Sequence, residues 1–176
     1  MEAKEFLQAE EISFMADELT MIDITPTFSL SKMELMKDTY GPFRAGRRTK
    51  VPLWLAVFLH GRSACTLIPP DWLSPRRLSA LVNQERSDEN QLQPVPPFYY
   101  EISRTYFKHA RDNLQRFDEL LSLVEHLHRL RLVKLQKLVS AEFAIGNDGY
   151  HSFPNATRME INICRQMVHG FSSYVK

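Results

Sequence analysis

GPFRAGRRTKVPLWLAVFLHGRSACTLIPPDWL, residues Gly41 to Leu73, is the stretch on which the fold turns. It opens on a Gly-Pro turn, runs through an apolar segment holding Trp54 and crosses the short turn His60-Gly61-Arg62-Ser63. It then returns as Ala64 to Ile68 and stops at Pro69-Pro70. Val51 to Leu59 is too apolar on both faces for an exposed edge, so it is expected to be the central strand of a small sheet. The turn at His60 to Ser63 reads as a hairpin-like connection. Between Asp38 and Asp71 there is no carboxylate, but there are Arg44, Arg47, Arg48, Lys50 and Arg62, so this β element should carry a positive rim.

Upstream, residues 3–19 contain no Gly or Pro and carry Phe6, Leu7, Met15, Ala16 and Leu19, which predicts a short acidic helix. Residues 20–28, TMIDITPTF, alternate apolar and polar and predict a strand stopped at Pro26. Met33 to Met36 suggests another short strand, and Asp38 to Gly46 a turn region. A helix and a small β domain are thus expected over residues 1–70.

From Ser74 the pattern turns helical, and residues 71–176 are expected to form a helical domain. Ser74-Pro75 reads as an N-cap followed by proline at the first helical position, with Leu78, Leu81 and Val82 as its stripe. Asn83 to Pro97 is polar and then proline-rich, a semi-rigid connector. A second helix should start near Pro97, with a bend in Asp112 to Arg116 before a third over Phe117 to Phe143. The apolar residues of that third helix cover about 200° of arc, roughly twice what one surface helix needs. Arg131 and Lys134 project from within the arc. Buried cations need carboxylates, of this chain or a neighbour, unless their stems let them snorkel to water. After a Gly- and Asn-containing loop at 144–156, Thr157 to Glu160 fits a capping box opening the last helix, with Cys164, Met167, Val168, Phe171, Tyr174 and Val175 on one face. The fold class is therefore α+β and mainly α: a small N-terminal β domain followed by a larger helical bundle.

The 176 residues, 44% hydrophobic and 24% charged, can bury a sizeable core. The net charge of +1 excludes a global field for nucleic acid. Locally the balance is uneven: residues 1–23 hold seven acids against Lys4, and 39–70 hold five basic residues and no acid. Cys65 and Cys164 lie far apart and read as buried thiols of a reducing compartment. The acidic N-terminus lacks a signal-like apolar region, and the nine-residue run Val51–Leu59 is far below the ~20 residues that span a bilayer. A soluble intracellular protein with no membrane partner is expected.

No catalytic, cofactor or metal pattern emerges. The six histidines are scattered, His126 and His128 fall on different helix faces, and there is no nucleophile elbow, phosphate loop or dinucleotide fingerprint. Arg44, Arg47, Arg48 and Lys50, near Phe43 and Trp54, form a basic patch. It could dock on an acidic protein surface, or hold nucleic acid weakly and salt-sensitively. Trp54 and Trp72 sit in apolar runs and are expected in the core.

Several blocks, in order, resemble the Psf-two family of GINS subunits. They are FMADE (14–18) with ITPTFSL (24–30), GPF (41–43), VPLWLA (51–56) and the Cys65 to Trp72 block, which has the form CxLxPPxW. They continue with PFYYEI (97–102), HARDN (109–113), RLVKL (131–135) and MEIN (159–162). Each is weak alone; together they cover most of the chain. The loop Arg44 to Lys50 is more basic than the family pattern, and the first ten or so residues look like an extension. The resemblance implies a non-catalytic, cofactor-free subunit in a heterotetramer with three related subunits. That assembly would dock on the MCM ring and its RecJ-like companion factor, in nuclear DNA replication. It further implies a subunit interface on the second and third helices: Tyr99, Leu123, Leu127, Leu130, Arg131, Lys134 and Leu135. A small nucleic-acid-binding module using Arg44 to Lys50 is the alternative.

Overall fold

The centre of the sheet belongs to β1 (Met21–Pro26), flanked antiparallel by β4 (Thr49–Pro52) and β5 (Cys65–Leu67). The computed structural model describes residues 9–35, 38–144 and 153–174. The expectations placed on residues 3–8, Met36 and 145–152, and on the side chains of Met167, Val168, Phe171, Tyr174 and Val175, fall outside what is described. Along β1, Ile22, Ile24 and Pro26 are buried and the residues between them are not, the period-2 signature of a sheet covered on one face. Register sets Ile22 opposite Val51 and Ile24 opposite Leu67, so apolar side chains meet across both ladders.

The apolar run Val51 to Leu59 is not the central strand. It leaves the sheet at Pro52 and becomes α2 (Leu53–Gly61). Pairing runs out because β1 begins at Met21, opposite Pro52, and the Leu53 amide donates instead to the Thr20 carbonyl at 2.9 Å. A run apolar at every position fits a buried helix as well as a strand, and its leucines and alanine are good helix formers. As a helix it buries Leu53, Leu55, Ala56 and Leu59 and turns Trp54 and Phe58, one turn apart, outward. The expected hairpin connection is therefore a helix end, with Ser63 at φ 56° turning the chain into β5.

A two-residue pair, β2 (Met33–Glu34) with β3 (Thr39–Tyr40), and a bridge between Leu30 and Phe43 close the β half. The Gly41–Pro42 peptide is cis. Gly41 has φ 125°, and a Cβ there would come 3.1 Å from the Ser31 carbonyl oxygen, so glycine is required.

The helices are α1 (Ala9–Leu19), α3 (Pro75–Ser87), α4 (Tyr99–His109), α5 (Phe117–Ala144) and α6 (Arg158–Tyr174), with a short 3-10 turn at Arg111–Asn113. Pro75 opens α3 as expected, but the Ser74 hydroxyl donates to the Asp71 carbonyl (3.2 Å) rather than capping the helix. The polar residues from Asn83 continue α3 to Ser87, so the connector is shorter than its composition suggests. Arg116, at φ 57°, makes the bend before α5. None of the described helices is long and apolar enough to cross a membrane.

One core cluster joins both halves. Ile24, Phe43, Val51, Leu55 and Leu67 pack with Leu78, Ile102, Tyr106, Leu120 and Val124. The Tyr106 hydroxyl crosses to donate to the Ile68 carbonyl at 2.8 Å. Cys65 and Cys164 are free and buried, and burial pushes the Cys65 thiol up to about 11.

Candidate interaction surfaces

α5 carries residues for both the interior and the surface. Leu120, Val124, Leu127, Arg131, Lys134, Leu135 and Val139 are buried, while Leu121 and Val133 are 37% and 49% exposed. Leu127 packs with Val82 and Tyr99, and Leu135 with Leu92, Val139 and Cys164. Leu123 and Leu130 are half-buried at the rim of the cluster around Leu127.

Arg131 has no exposed surface. Its Nε donates to Glu160 Oε1 at 2.7 Å and its Nη2 to Glu160 Oε2 at 3.0 Å. Nη1 donates to Glu85 Oε2 (2.8 Å) and the Gln93 carbonyl (2.7 Å), and Nη2 also to the Asn155 carbonyl (2.7 Å). All five donors of the guanidinium are used. Lys134 Nζ donates to Glu85 Oε1 at 2.5 Å, to the carbonyls of Glu85 and Asp88 at 2.6 Å each, and to that of Gln91 at 3.0 Å. Two cations thus meet two carboxylates, with main-chain groups filling the remaining sites. Burial disfavours the charged guanidinium, but the hydrogen bonds and charges of Glu160 and Glu85 outweigh it and hold its pKa above the ordinary value.

Glu160 also completes the capping box: it accepts the Thr157 amide at 2.8 Å, and the Thr157 hydroxyl accepts the Glu160 amide at 3.4 Å. One carboxylate therefore starts α6 and anchors it to α5. Tyr99, against this cluster, has its hydroxyl pKa raised by burial and then by Glu160. Its hydroxyl lies 3.3 Å from His128 Nδ1, and His128 stacks on Tyr100 at 3.9 Å.

These placements change what the expected interface residues can do. Tyr99, Leu127, Arg131, Lys134 and Leu135 face this chain's own interior, and Arg131 offers a partner no accessible atom. Its carboxylates come from α3 and α6, so neither a neighbouring subunit nor snorkelling is needed. Glu85 was missed by sequence reasoning, although a signal existed. It falls on the apolar stripe of α3 with Leu78 and Val82, the acidic counterpart of the cations in the arc of α5.

The accessible apolar surface lies elsewhere. Trp54 (40% exposed), Phe58 (52%) and, on α1, Phe14 (66%) are uncovered, contrary to the core placement expected of Trp54. An open groove of about 1220 Å³ runs between α1, α2, α4 and α5, walled by Phe14, Trp54 and Leu121. Treating 51–59 as a central strand hid this surface, because such a strand is covered on both faces, whereas a surface helix buries one face and leaves the other, with Trp54 and Phe58, open.

Arg44, Arg47, Arg48 and Lys50 are all exposed on and beside the turn leading into β4. In the β1–β4 ladder Lys50 stands opposite Asp23, so one of the four charges faces a carboxylate-bearing residue. Among the described residues, no group of three or more His, Cys, Asp or Glu could hold a metal ion.

Residues 8–68 match the PSF2 N-terminal domain, and residues 72–176 match the GINS complex protein helical bundle domain. The chain is 37% identical over 158 residues to the human DNA replication complex GINS protein PSF2, covering 89% of this chain and 83% of that protein. It is 36% identical over 157 residues to the Xenopus laevis protein of that name, with the same coverage. With the probable PSF2 of Caenorhabditis elegans it shares 25% over 170 residues, 92% of this chain and 93% of the other. The two matched regions account for nearly the whole length, and the chain belongs to the PSF2 family of GINS proteins.

Proposed function

We propose that this chain is a non-catalytic subunit of a heterotetrameric GINS complex in the nucleus. In this role it is a scaffold and activator of the eukaryotic replicative helicase, with the MCM ring and its RecJ-like companion, in initiation and elongation. The observation that carries the reading is the uncovered aromatic surface of Phe14, Trp54 and Phe58 on a chain of this family. Large exposed apolar groups rimmed by charge mark a protein interface. In this reading Tyr99, Leu127, Arg131, Lys134 and Leu135 shape the interface from beneath by fixing α5, and Leu123 and Leu130 lie at its edge.

The test is size-exclusion chromatography with light scattering on the chain alone and co-expressed with three candidate GINS partners. A single 1:1:1:1 species supports the reading, and a stable monomer that ignores those partners ends it. A DNA contact through Arg44, Arg47, Arg48 and Lys50 is the second reading, favoured by the exposure of all four. It requires binding that weakens with salt and disappears in the Arg47→Glu/Arg48→Glu variant. No binding at low salt would end it.

A further inference from the structure

Close to the satisfied ionic cluster lies a carboxylate without such partners. Glu101 of α4 is 6% exposed, and among the described residues its Oε1 has no hydrogen-bond partner. Leaving a buried carboxylate oxygen unpaired is costly. The side chains nearby give no relief. The Thr105 hydroxyl, one turn on, donates to the Glu101 main-chain carbonyl at 3.0 Å. Arg104 and Lys108 are on the same helix but exposed. Burial raises the Glu101 pKa, its own amide opposes this, and the charge of Glu160 adds to it. Glu101 also lines the groove whose walls hold Phe14, Trp54 and Leu121.

We infer that this groove receives a segment of a partner subunit that sets a lysine or arginine side chain on Glu101 and an apolar side chain against Phe14 and Trp54. The inference rests on the subunit reading above. Oε1 is itself covered, so docking turns the carboxylate into the groove; there a cation, unlike an amide or hydroxyl donor, both pairs it and offsets the neighbouring charge of Glu160. The uncovered aromatics supply the apolar half of the contact. A second copy seated by twofold symmetry fits less well. In each groove the four acids Glu10, Asp17, Glu101 and Glu125 outnumber Arg104 and Lys108, so like charge would predominate across the twofold axis.

The experiment compares wild type, Glu101→Gln and Trp54→Ala in the co-expressed complex and as the full chain alone. Dissociation on dilution and hydrogen exchange of α1 and α2 are the readouts. Glu101→Gln should weaken assembly by about tenfold or more, the loss of one charge-assisted hydrogen bond. The same variant alone should unfold at an equal or higher urea midpoint, because a desolvated carboxylate is gone. Opposite signs in the two assays separate docking from a structural role. Trp54→Ala should weaken assembly with the midpoint unchanged, and α1 and α2 should exchange more slowly in the complex than alone.

Wild-type assembly by both variants, with α1 and α2 exchanging as in the free chain, would overturn the inference and leave the subunit reading intact. A Glu101→Gln chain less stable than wild type would equally overturn it, since the carboxylate would then have a partner within the chain. Self-association abolished by Trp54→Ala would replace the partner by a second copy. If the wild-type chain forms no complex with the three partners, both the subunit reading and the inference fall.

Discussion

Arg131→Ala removes five hydrogen bonds of 2.7–3.0 Å at once. Glu160 keeps the Thr157 amide, Glu85 keeps Lys134 and the Gln93 amide, and the carbonyls of Gln93 and Asn155 lose their guanidinium donor. Neither carboxylate side chain has any exposure with which to recover the loss from water. Removing one member of such a buried pair costs about 3–5 kcal/mol, a large share of the roughly 5–15 kcal/mol that holds a domain together. At this chain length that lowers the melting temperature by roughly 6–20 °C. Arg131→Lys keeps the charge but not the fork and should fall between wild type and alanine. Urea unfolding of the full chain, followed by circular dichroism, measures the cost, and a cycle with Glu160→Ala measures the coupling. The pair should be strongly non-additive. A loss below about 1 kcal/mol, typical of solvated surface pairs, or an additive cycle would refute the buried cluster. Association with partners should weaken in step with the loss of folded chain and no further, because Arg131 acts on the interface only by fixing α5.

Leu127→Asp places a charge at a site with no exposure between Val82 and Tyr99. It should cost more than the roughly 2–5 kcal/mol of a leucine-to-alanine change, and a folded monomer by circular dichroism would contradict the packing. Phe58→Ser, on the exposed face of α2, should leave the unfolding free energy in urea within about 0.5 kcal/mol of wild type while raising the solubility of the free chain. His128 is half-buried and stacked on Tyr100, and the loss of solvent lowers its pKa although Glu160 and Glu125 oppose this. On acidification the unfolded chain takes up the proton first, so the stability from neutral His128 is present above the unfolded value of about 6.5 and is lost as pH falls through it. The stability of His128→Phe relative to wild type should therefore rise between about pH 7.5 and 5.5, and a flat difference would show that the ring titrates normally.

The long helix was legible because its pattern is long: Phe117 opens it, and a wide apolar arc persists for seven turns. β1 was legible through its alternation, and α6 through the Thr157–Glu160 box. Val51 to Leu59 was not, because an unbroken apolar run satisfies both periods and tertiary pairing decides between them. What ended the strand was the position of Met21, a fact about a distant segment. Arg131 and Lys134 could be recognised as needing carboxylates, but the choice of Glu85 and Glu160, 46 and 29 residues from Arg131, depends on how α3 and α6 dock. Glu101 could not be picked out, since a glutamate in the first turn of a helix is ordinary.

The core that passes beneath residue 70 bears on how this protein can be divided. The two matched regions meet at residues 68–72, where Ile68 is held by Tyr106 and Leu73 is buried in the shared cluster. A fragment cut there would strip Tyr106 and Val124 from one piece and Val51 and Leu67 from the other, leaving each with an open apolar wall. The junction that divides the chain into two recurring patterns is thus the place where it is least separable. Melting should occur as one cooperative event, and neither piece should outlive the other.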